Sequence, residues 1–318
     1  MRIVSDEHIP FLAQAIQNRW REVEICPMKP EKIDASAVRE ADVLVVRTRT
    51  IVDEKLLAGS NVQLVCTATI GFDHIDTAYC EKNHILWTSC PGCNAQAVCD
   101  YIEEALDTVF DLQKRIAPSH STIGIVGVGH VGFKVADMAR QKGLQVLLND
   151  PPKGIGVSLD EIAHNCDIIT FHTPLSYPAS SAYPTYHLCD EAFLARCKPG
   201  AIIINAARGG IADEQALLHS GHPYILDTWE NEPAIHPEVL AHATLASMHI
   251  AGYSVEGKRN ASQMCLDFIA EKYHLPQIQL PHFPSSGDNS RGWLMRISKT
   301  LKASANQFET LRKAYPLR

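Results

Sequence analysis

The chain has 318 residues, 46% of them apolar, enough for two domains of ordinary size that each bury a core. Its 29 basic and 36 acidic residues leave a net charge of −7, which excludes a general nucleic-acid binder. Residues 1–7 lack the features of a signal peptide, and no apolar run reaches the ~18 residues of a membrane helix. A cytoplasmic protein with no membrane or nucleic-acid partner is expected.

Strands are predicted over Met1–Val4, Val23–Cys26, Asp42–Arg47, Leu64–Thr69 and Ile85–Thr88, with helical patterns between them such as Ile9–Arg19 and Asp53–Leu57. This alternation implies a parallel α/β sheet. The third strand runs into Arg47, Thr48 and Arg49. The two arginines are either a phosphate receptor or a solvated strand end. Cys90-Pro91-Gly92-Cys93 has C-x-x-C spacing but no second pair and no H-x-x-H nearby, so a reduced structural loop is favoured over a metal or redox site. Several other cysteines (Cys66, Cys166, Cys197, Cys265) lie in apolar runs, where a free thiol behaves as a small hydrophobe. No metal is expected.

A longer helical pattern covers Asn94–Ile116 and stops before Pro118, a link into a second domain. Thr122–Val126 then reads as a strand leading into G-x-G-x-x-G, formed by Gly127, Gly129 and Gly132 with His130 and Val131 between them. A helix over Phe133–Lys142 and a strand over Gln145–Asn149 follow, ending at Asp150. Strand, glycine turn, helix and a strand-end acid in this order mark a dinucleotide site. Gly127 allows the tight turn, Gly129 lets backbone approach a pyrophosphate, and Gly132 lets the helix pack on the strand. The helix N-terminus offers its N–H groups to the phosphates. Asp150 suits the adenine-ribose hydroxyls and repels a 2′-phosphate, which favours NAD over NADP, although Lys153 is close.

Further strand–helix units are predicted at Asp167–Phe171, Ala201–Asn205, Tyr224–Asp227 and Thr244–Met248. Three of them end near a residue able to do chemistry: Arg208, Glu232 and His249. Ligands of an open parallel sheet sit beyond its strands' carboxyl ends, so a guanidinium, a carboxylate and an imidazole can converge there on a hydroxy acid. Each has a bland reading as well: a surface charge, a turn opener before Pro233, and one of fifteen histidines. A helix through about Lys272 then returns toward the first domain.

The fold expected is therefore α/β with two domains, a Rossmann-type doubly wound parallel sheet and a flavodoxin-like substrate domain, plus a short helical C-terminal tail. The substrate domain is discontinuous, residues 1–93 and 258–280. The NAD-binding domain covers 94–257. Residues 281–318 form a linker and one amphipathic helix, because Leu294, Ile297, Leu301, Ser304, Phe308 and Leu311 recur at helical spacing. From Arg291 onward seven basic residues face one acid, Glu309.

These motifs resemble the D-isomer-specific 2-hydroxyacid dehydrogenases. The general part is the glycine turn with Asp150, then Arg208, Glu232 and His249. A narrower part lies in residues 66–74, 91–95, 149–152, 171–175 and 249–258. The resemblance runs to about residue 275. It implies NAD-linked oxidation of a small phosphorylated 2-hydroxy acid to a 2-oxo acid by a homodimer. His249 would exchange the hydroxyl proton, Glu232 would hold the imidazole, and Arg208 would bind the carboxylate. Thr48, Thr69 and Tyr253 fall at substrate positions, and Asp150, Thr173, Asp227 and Gly252 at cofactor positions. The resemblance also implies a larger C-terminal dimerisation domain than the 45 residues that follow Tyr273. The tail helix could pack on a partner subunit or on its own. Two alternatives stay open: another D-2-hydroxy acid such as phosphoglycerate, glyoxylate or hydroxypyruvate, and an NAD sensor without turnover.

Overall fold

A computed structural model describes residues 1–112, 117–284, 287 and 290–317. The chain forms two compact units, Met1–Asn94 with Ser254–Ser285, and Ala95–Tyr253 with Ser286–Arg318.

The first unit is built on five parallel strands: β1 (Arg2–Asp6), β2 (Glu24–Met28), β3 (Val43–Val46), β4 (Leu64–Thr67) and β5 (Leu86–Thr88), in the order β2-β1-β3-β4-β5. Strand β3 reads Val-Leu-Val-Val and is buried throughout, as a strand covered on both faces must be. One face packs on the helix Val255–Tyr273 through Ala261, Cys265, Leu266 and Ile269. The other is covered by Val38, Leu56, Leu57 and Ile75. Asp34, Asp53 and Asp76 start the short helices of this unit by accepting a backbone N–H of the first turn. The strand order reverses between β1 and β3, so the ligand crevice of this sheet type opens beyond Asp6 and Val46.

The second unit holds β6 (Thr122–Val126), β7 (Gln145–Asp150), β8 (Ile155–Gly156), β9 (Ile168–Phe171), β10 (Ile202–Asn205), β11 (Tyr224–Leu226) and β12 (Leu245–Ala246). Their order is β12-β11-β10-β9-β6-β7-β8, parallel except for the short edge strand β8. The reversal falls between β6 and β9, which places the glycine turn at the switch point. The linking helix covers Ala95–Leu112. The remainder of its expected span, residues 113–116, lies outside the described residues. The helix after the glycines begins at His130, three residues earlier than the apolar pattern suggests, because Gly129 takes the extended cap conformation.

The tail differs from expectation in one respect. Its apolar face is as predicted, but the single helix is two, Trp293–Ala303 and Phe308–Ala314, separated by Ser304 and a 3-10 turn over Ala305–Gln307. Ser304 and Asn306 compete for backbone hydrogen bonds and so favour helix ends, and the break lets Phe308 reach the same core as Trp293, Leu294 and Leu301. The helices Trp293–Ala303 and Phe308–Ala314 thus pack into the second unit. The apolar face that could have met a partner subunit is covered by the chain's own second unit. Polar contacts reinforce the docking: Ser298 Oγ accepts from Ala246 N at 3.0 Å, and Glu104 accepts from Gly292 N at 2.6 Å.

Candidate active site

His249 sits just beyond β12 in a tight turn, with φ of +57°. A non-glycine residue held in the left-handed region needs support from its surroundings. Asp227, at the end of β11, supplies it. Its Oδ1 accepts from Ser247 Oγ at 2.6 Å and from Ile250 N at 2.8 Å, and its Oδ2 accepts from Ala251 N at 2.9 Å. The Asp227 carbonyl takes the His249 N–H at 2.7 Å. Tyr101 Oη lies 2.8 Å from Ser247 Oγ, and Trp229 Nε1 donates to the Ser247 carbonyl. Asp227, Ser247, Ile250, Ala251, Tyr101 and Trp229 are buried, so the bonds among them are protected from competition by water.

Within this frame His249 Nδ1 meets Glu232 Oε2 at 2.8 Å. Glu232 is held in turn, because its Oε1 accepts the Trp229 N–H at 2.9 Å. Arg208 follows β10 in a turn closed by Asn205, whose Nδ2 donates to the Arg208 carbonyl at 2.8 Å. The loop then passes so close to the next one that a Cβ on Gly209 would overlap the Trp229 carbonyl. Arg208 and Glu232 are therefore carried on adjoining loops.

A second layer was not legible beforehand. Glu230 N donates to Glu214 Oε1 at 2.8 Å, and His187 Nε2 lies 2.8 Å from Glu230 Oε1. His187 Nδ1 is 3.4 Å from Asp213. Burial, with the charges of Glu230, Glu232 and Asp213, pushes Glu214 up to about 7, against the pull of the Glu230 N–H. The Asp-Glu pair at 213–214 looks like a helix start, and Asp213 does cap the helix Glu214–Ser220. Only three-dimensional neighbours reveal what Glu214 does.

The glycine turn fits a dinucleotide. Gly127 has φ of +91°, and a Cβ there would meet the His172 carbonyl and Thr173 Cγ2 at 2.8 and 2.9 Å. A Cβ at Gly132 would overlap the Gly127 carbonyl oxygen, whereas Gly129 faces open space. No side chain caps the helix His130–Gln141, which leaves the first-turn N–H groups at His130, Val131 and Gly132 for phosphates. The Thr173 hydroxyl oxygen is shielded from water without a hydrogen-bond partner, as a cofactor contact would be before loading. Asp150 ends β7 where expected. Its Oδ2 accepts from Val128 N at 2.9 Å and pairs with Lys153 at 3.4 Å, so the lysine partly offsets the charge that disfavours a 2′-phosphate. Gly252 follows the His249 turn, and Tyr253 N donates to Ile250 O at 2.9 Å. Asp227, expected at the cofactor, spends both oxygens on the His249 turn.

In the first unit, Arg47 leaves β3 at the switch point and its Nε donates to Asp6 Oδ2 at 2.7 Å. Burial raises the Asp6 carboxyl, but Arg47 and the His8 N–H outweigh it and hold the group below its ordinary value. Loss of water around the Lys258 ammonium, and then the nearby Arg47 cation, lower the lysine. Thr48 and Arg49 are exposed beside them. Thr69 ends a chain of hydroxyls: its Oγ1 donates to Gly71 O at 2.9 Å and lies 2.7 Å from Thr67 Oγ1, which is 3.0 Å from His74 Nε2. Thr69 thus gives its proton to Gly71, Thr67 gives its own to Thr69, and His74 donates to Thr67. Burial lowers His74, which agrees with a neutral ring.

The ten cysteines are all free. Cys90 is buried with its Sγ 3.7 Å from Cys265 Sγ; that contact and burial push its thiol far up, and burial pushes Cys93 up to about 12. Both shifts disfavour the thiolate, which is the reactive form of the side chain.

Residues 107–251 match the family model of the D-isomer specific 2-hydroxyacid dehydrogenase NAD binding domain. The chain is 42% identical to the erythronate-4-phosphate dehydrogenase of Bacteroides fragilis, over all of this chain and 97% of that one. It is 37% identical to the protein of the same name from Porphyromonas gingivalis, over 99% and 92%. Among solved structures it superposes on the NAD+-bound 3-phosphoglycerate dehydrogenase of Entamoeba histolytica with a TM-score of 0.69, at 23% identity, over 89% and 99% of the two chains. That likeness concerns the fold. By the full-length identities and the domain match, the chain belongs to the erythronate-4-phosphate dehydrogenase family within the D-isomer specific 2-hydroxyacid dehydrogenases.

Proposed function

We propose that this protein oxidises 4-phospho-D-erythronate to 3-hydroxy-2-oxo-4-phosphooxybutanoate with NAD, a step in forming pyridoxal phosphate. The observation that carries the chemistry is the His249–Glu232 pair, held at 2.8 Å on a turn organised by Asp227. The substrate comes from the relatives' shared name.

NAD, when bound, accepts the hydride that leaves C2. Gly127, Gly129, His130, Val131 and Gly132 would hold its pyrophosphate, Asp150 its ribose, and Thr173 and Gly252 the rest. With Nδ1–H donated to Glu232, Nε2 of His249 carries the lone pair and takes the proton of the C2 hydroxyl. The Glu232 carboxylate favours the positive ring that results. Arg208 presents a forked, permanently charged donor to the substrate carboxylate and the C2 oxygen. In reduction the proton returns from Nε2 to that oxygen.

We assign Thr48, Thr69 and Tyr253 to the substrate, and Arg47 with Lys258 to its phosphate. What supports the phosphate assignment is Arg47 at the switch point of the first sheet with the Lys258 cation near it, the lysine lowered first by burial and then by Arg47. An arriving phosphate relieves that repulsion. Ten free cysteines suit a reducing compartment, so we place the protein in the cytoplasm; among the described residues no helix is long and apolar enough to cross a membrane. A homodimer is proposed from the exposed Phe133 and Leu112 on two helices that pack together. Mass measurement in solution checks it, and a monomer at assay concentrations would overturn it.

The deciding assay supplies NAD with 4-phospho-D-erythronate, 3-phospho-D-glycerate, D-glycerate and D-lactate. Highest kcat/KM on the phosphoerythronate supports the proposal. Turnover of phosphoglycerate with none of phosphoerythronate would sink the substrate assignment and leave the reaction type standing.

A further inference from the structure

The basic tail ends in a contact with the turn that carries His249. Arg312, on the helix Phe308–Ala314, donates from Nε to Tyr253 Oη at 3.1 Å. Its guanidinium carbon also lies 5.7 Å from the centroid of the same ring, within cation–π range. Two contacts from one rigid, planar group to one side chain fix both where the ring lies and which way its hydroxyl turns. The backbone of Tyr253 is fixed independently by its bond to Ile250 O, one residue past His249.

The helix that carries Arg312 is firmly seated. Phe308 is 1% exposed in the core of the second unit, with Leu311 and Tyr315 packed against that core. Glu309 lies 3.7 Å from the Arg312 Nη1 and 3.7 Å from Lys313 Nζ. One carboxylate is thus shared by two cations. A phenol oxygen that accepts from a guanidinium is polarised and becomes a better O–H donor.

We propose that Arg312 is a positioning residue for substrate binding, holding the Tyr253 hydroxyl as a donor to an anionic 2-hydroxy acid. The tail therefore completes the active site of its own chain. This rests on the dehydrogenase reading above and on the assignment of Tyr253 to the substrate.

The test is a double-mutant cycle on whichever acid of the four-compound panel the wild type oxidises best, so that an error in substrate choice does not mask the result. R312A raises the KM for the acid about tenfold, lowers kcat less than threefold and leaves the KM for NAD unchanged. Y253F does the same, and R312A in the Y253F background adds less than about twofold, because both changes remove one interaction. R312K recovers only part of the affinity, since lysine keeps the charge but not the Nε bond. Thermal unfolding is followed for every variant, and R312M replaces R312A if the latter fails to fold. An unchanged KM in R312A or R312M would overturn the proposal. So would effects of R312A and Y253F that multiply in full, or a KM for NAD that rises equally. Failure of the wild type on phosphoerythronate with success on another acid would reject the substrate and leave Arg312 to be judged by the same cycle.

Discussion

His249 Nδ1 lies 2.8 Å from Glu232 Oε2, and this one contact decides which ring nitrogen is left for chemistry. With the proton on Nδ1 directed at the carboxylate, Nε2 is the base. H249N, which cannot take a proton, loses roughly a thousandfold or more in kcat, within the range for removing a general base. NADH binding, followed by fluorescence, stays within about twofold, since the ring is not assigned to the cofactor. Persistent turnover would remove His249 from its role. E232Q keeps a hydrogen-bond acceptor for Nδ1 and loses the charge, so its kcat falls less, by about a hundredfold.

Gly132 is constrained by space rather than by φ. Its missing Cβ would overlap the Gly127 carbonyl oxygen, and backbone cannot yield as a flexible side chain can. G132A therefore pushes the helix His130–Gln141 away from the turn at a cost of about 2 kcal/mol, as overpacking elsewhere does. It also weakens NADH binding more than tenfold, because the phosphate-facing N–H groups move with the helix. Thermal unfolding and fluorescence titration of one preparation check both. Near-normal NADH affinity would show that the turn tolerates the methyl group.

Asp150 and Lys153 make opposing contributions to cofactor choice. D150S removes the group that accepts from the ribose and repels a 2′-phosphate, while Lys153, freed from its 3.4 Å pairing, is left to attract one. The ratio of kcat/KM for NAD over NADP falls at least tenfold. An unchanged ratio would mean that Lys153 already neutralises Asp150 in the wild type.

Glu214 titrates near neutrality, at about 7 against an ordinary 4.5. The folded chain thus holds this proton more tightly than the unfolded chain does. Its contribution is complete below about pH 4.5 and lost as pH rises through about 7, beyond which the dependence is flat. The raised value corresponds to roughly 3 kcal/mol across that window. Facing groups are Glu230, Glu232 and Asp213, with Tyr224 behind. E214Q keeps an acceptor for Glu230 N and has no proton to lose, so its stability varies less between pH 5 and 7.5 (about those limits) than that of the wild type. Urea titrations at four pH values give the comparison, and parallel curves would refute a raised Glu214.

What was legible in the sequence was whatever one stretch of chain expresses by itself. The glycine turn, Asp150 and the strand-end positions of Arg208 and Glu232 follow from local pattern, because strand, turn and helix each impose a period or a residue type. The site's second layer depends on residues distant in sequence. Glu214 meets Glu230 across sixteen residues and Ser298 meets Ala246 across fifty-two. Arg312 meets Tyr253 across fifty-nine. No local pattern encodes such pairs. The break at Ser304 was hidden for a related reason: the apolar spacing continues across it, and only the depth to which Phe308 must reach separates two helices from one.

The family resemblance puts Asp227 at the cofactor, its hydrogen bonds tie it to the His249 turn, and the two readings can be separated. A cofactor contact and a turn organiser both need a carboxylate at the end of β11. The structure gives it three donors from the His249 turn: the Ser247 hydroxyl and the N–H groups of Ile250 and Ala251. In D227A these buried groups lose their acceptor together, at about 1–3 kcal/mol each before relaxation. The melting temperature falls sharply, and kcat falls with it as the His249 turn slackens. D227N replaces one oxygen by an amide nitrogen that cannot accept, so one backbone N–H is stranded and the loss is about a third as large. If Asp227 serves the turn, stability and kcat fall together across the two variants while NADH affinity measured on the folded fraction changes little. A fall in NADH affinity in D227N at unchanged melting temperature would instead return Asp227 to the cofactor.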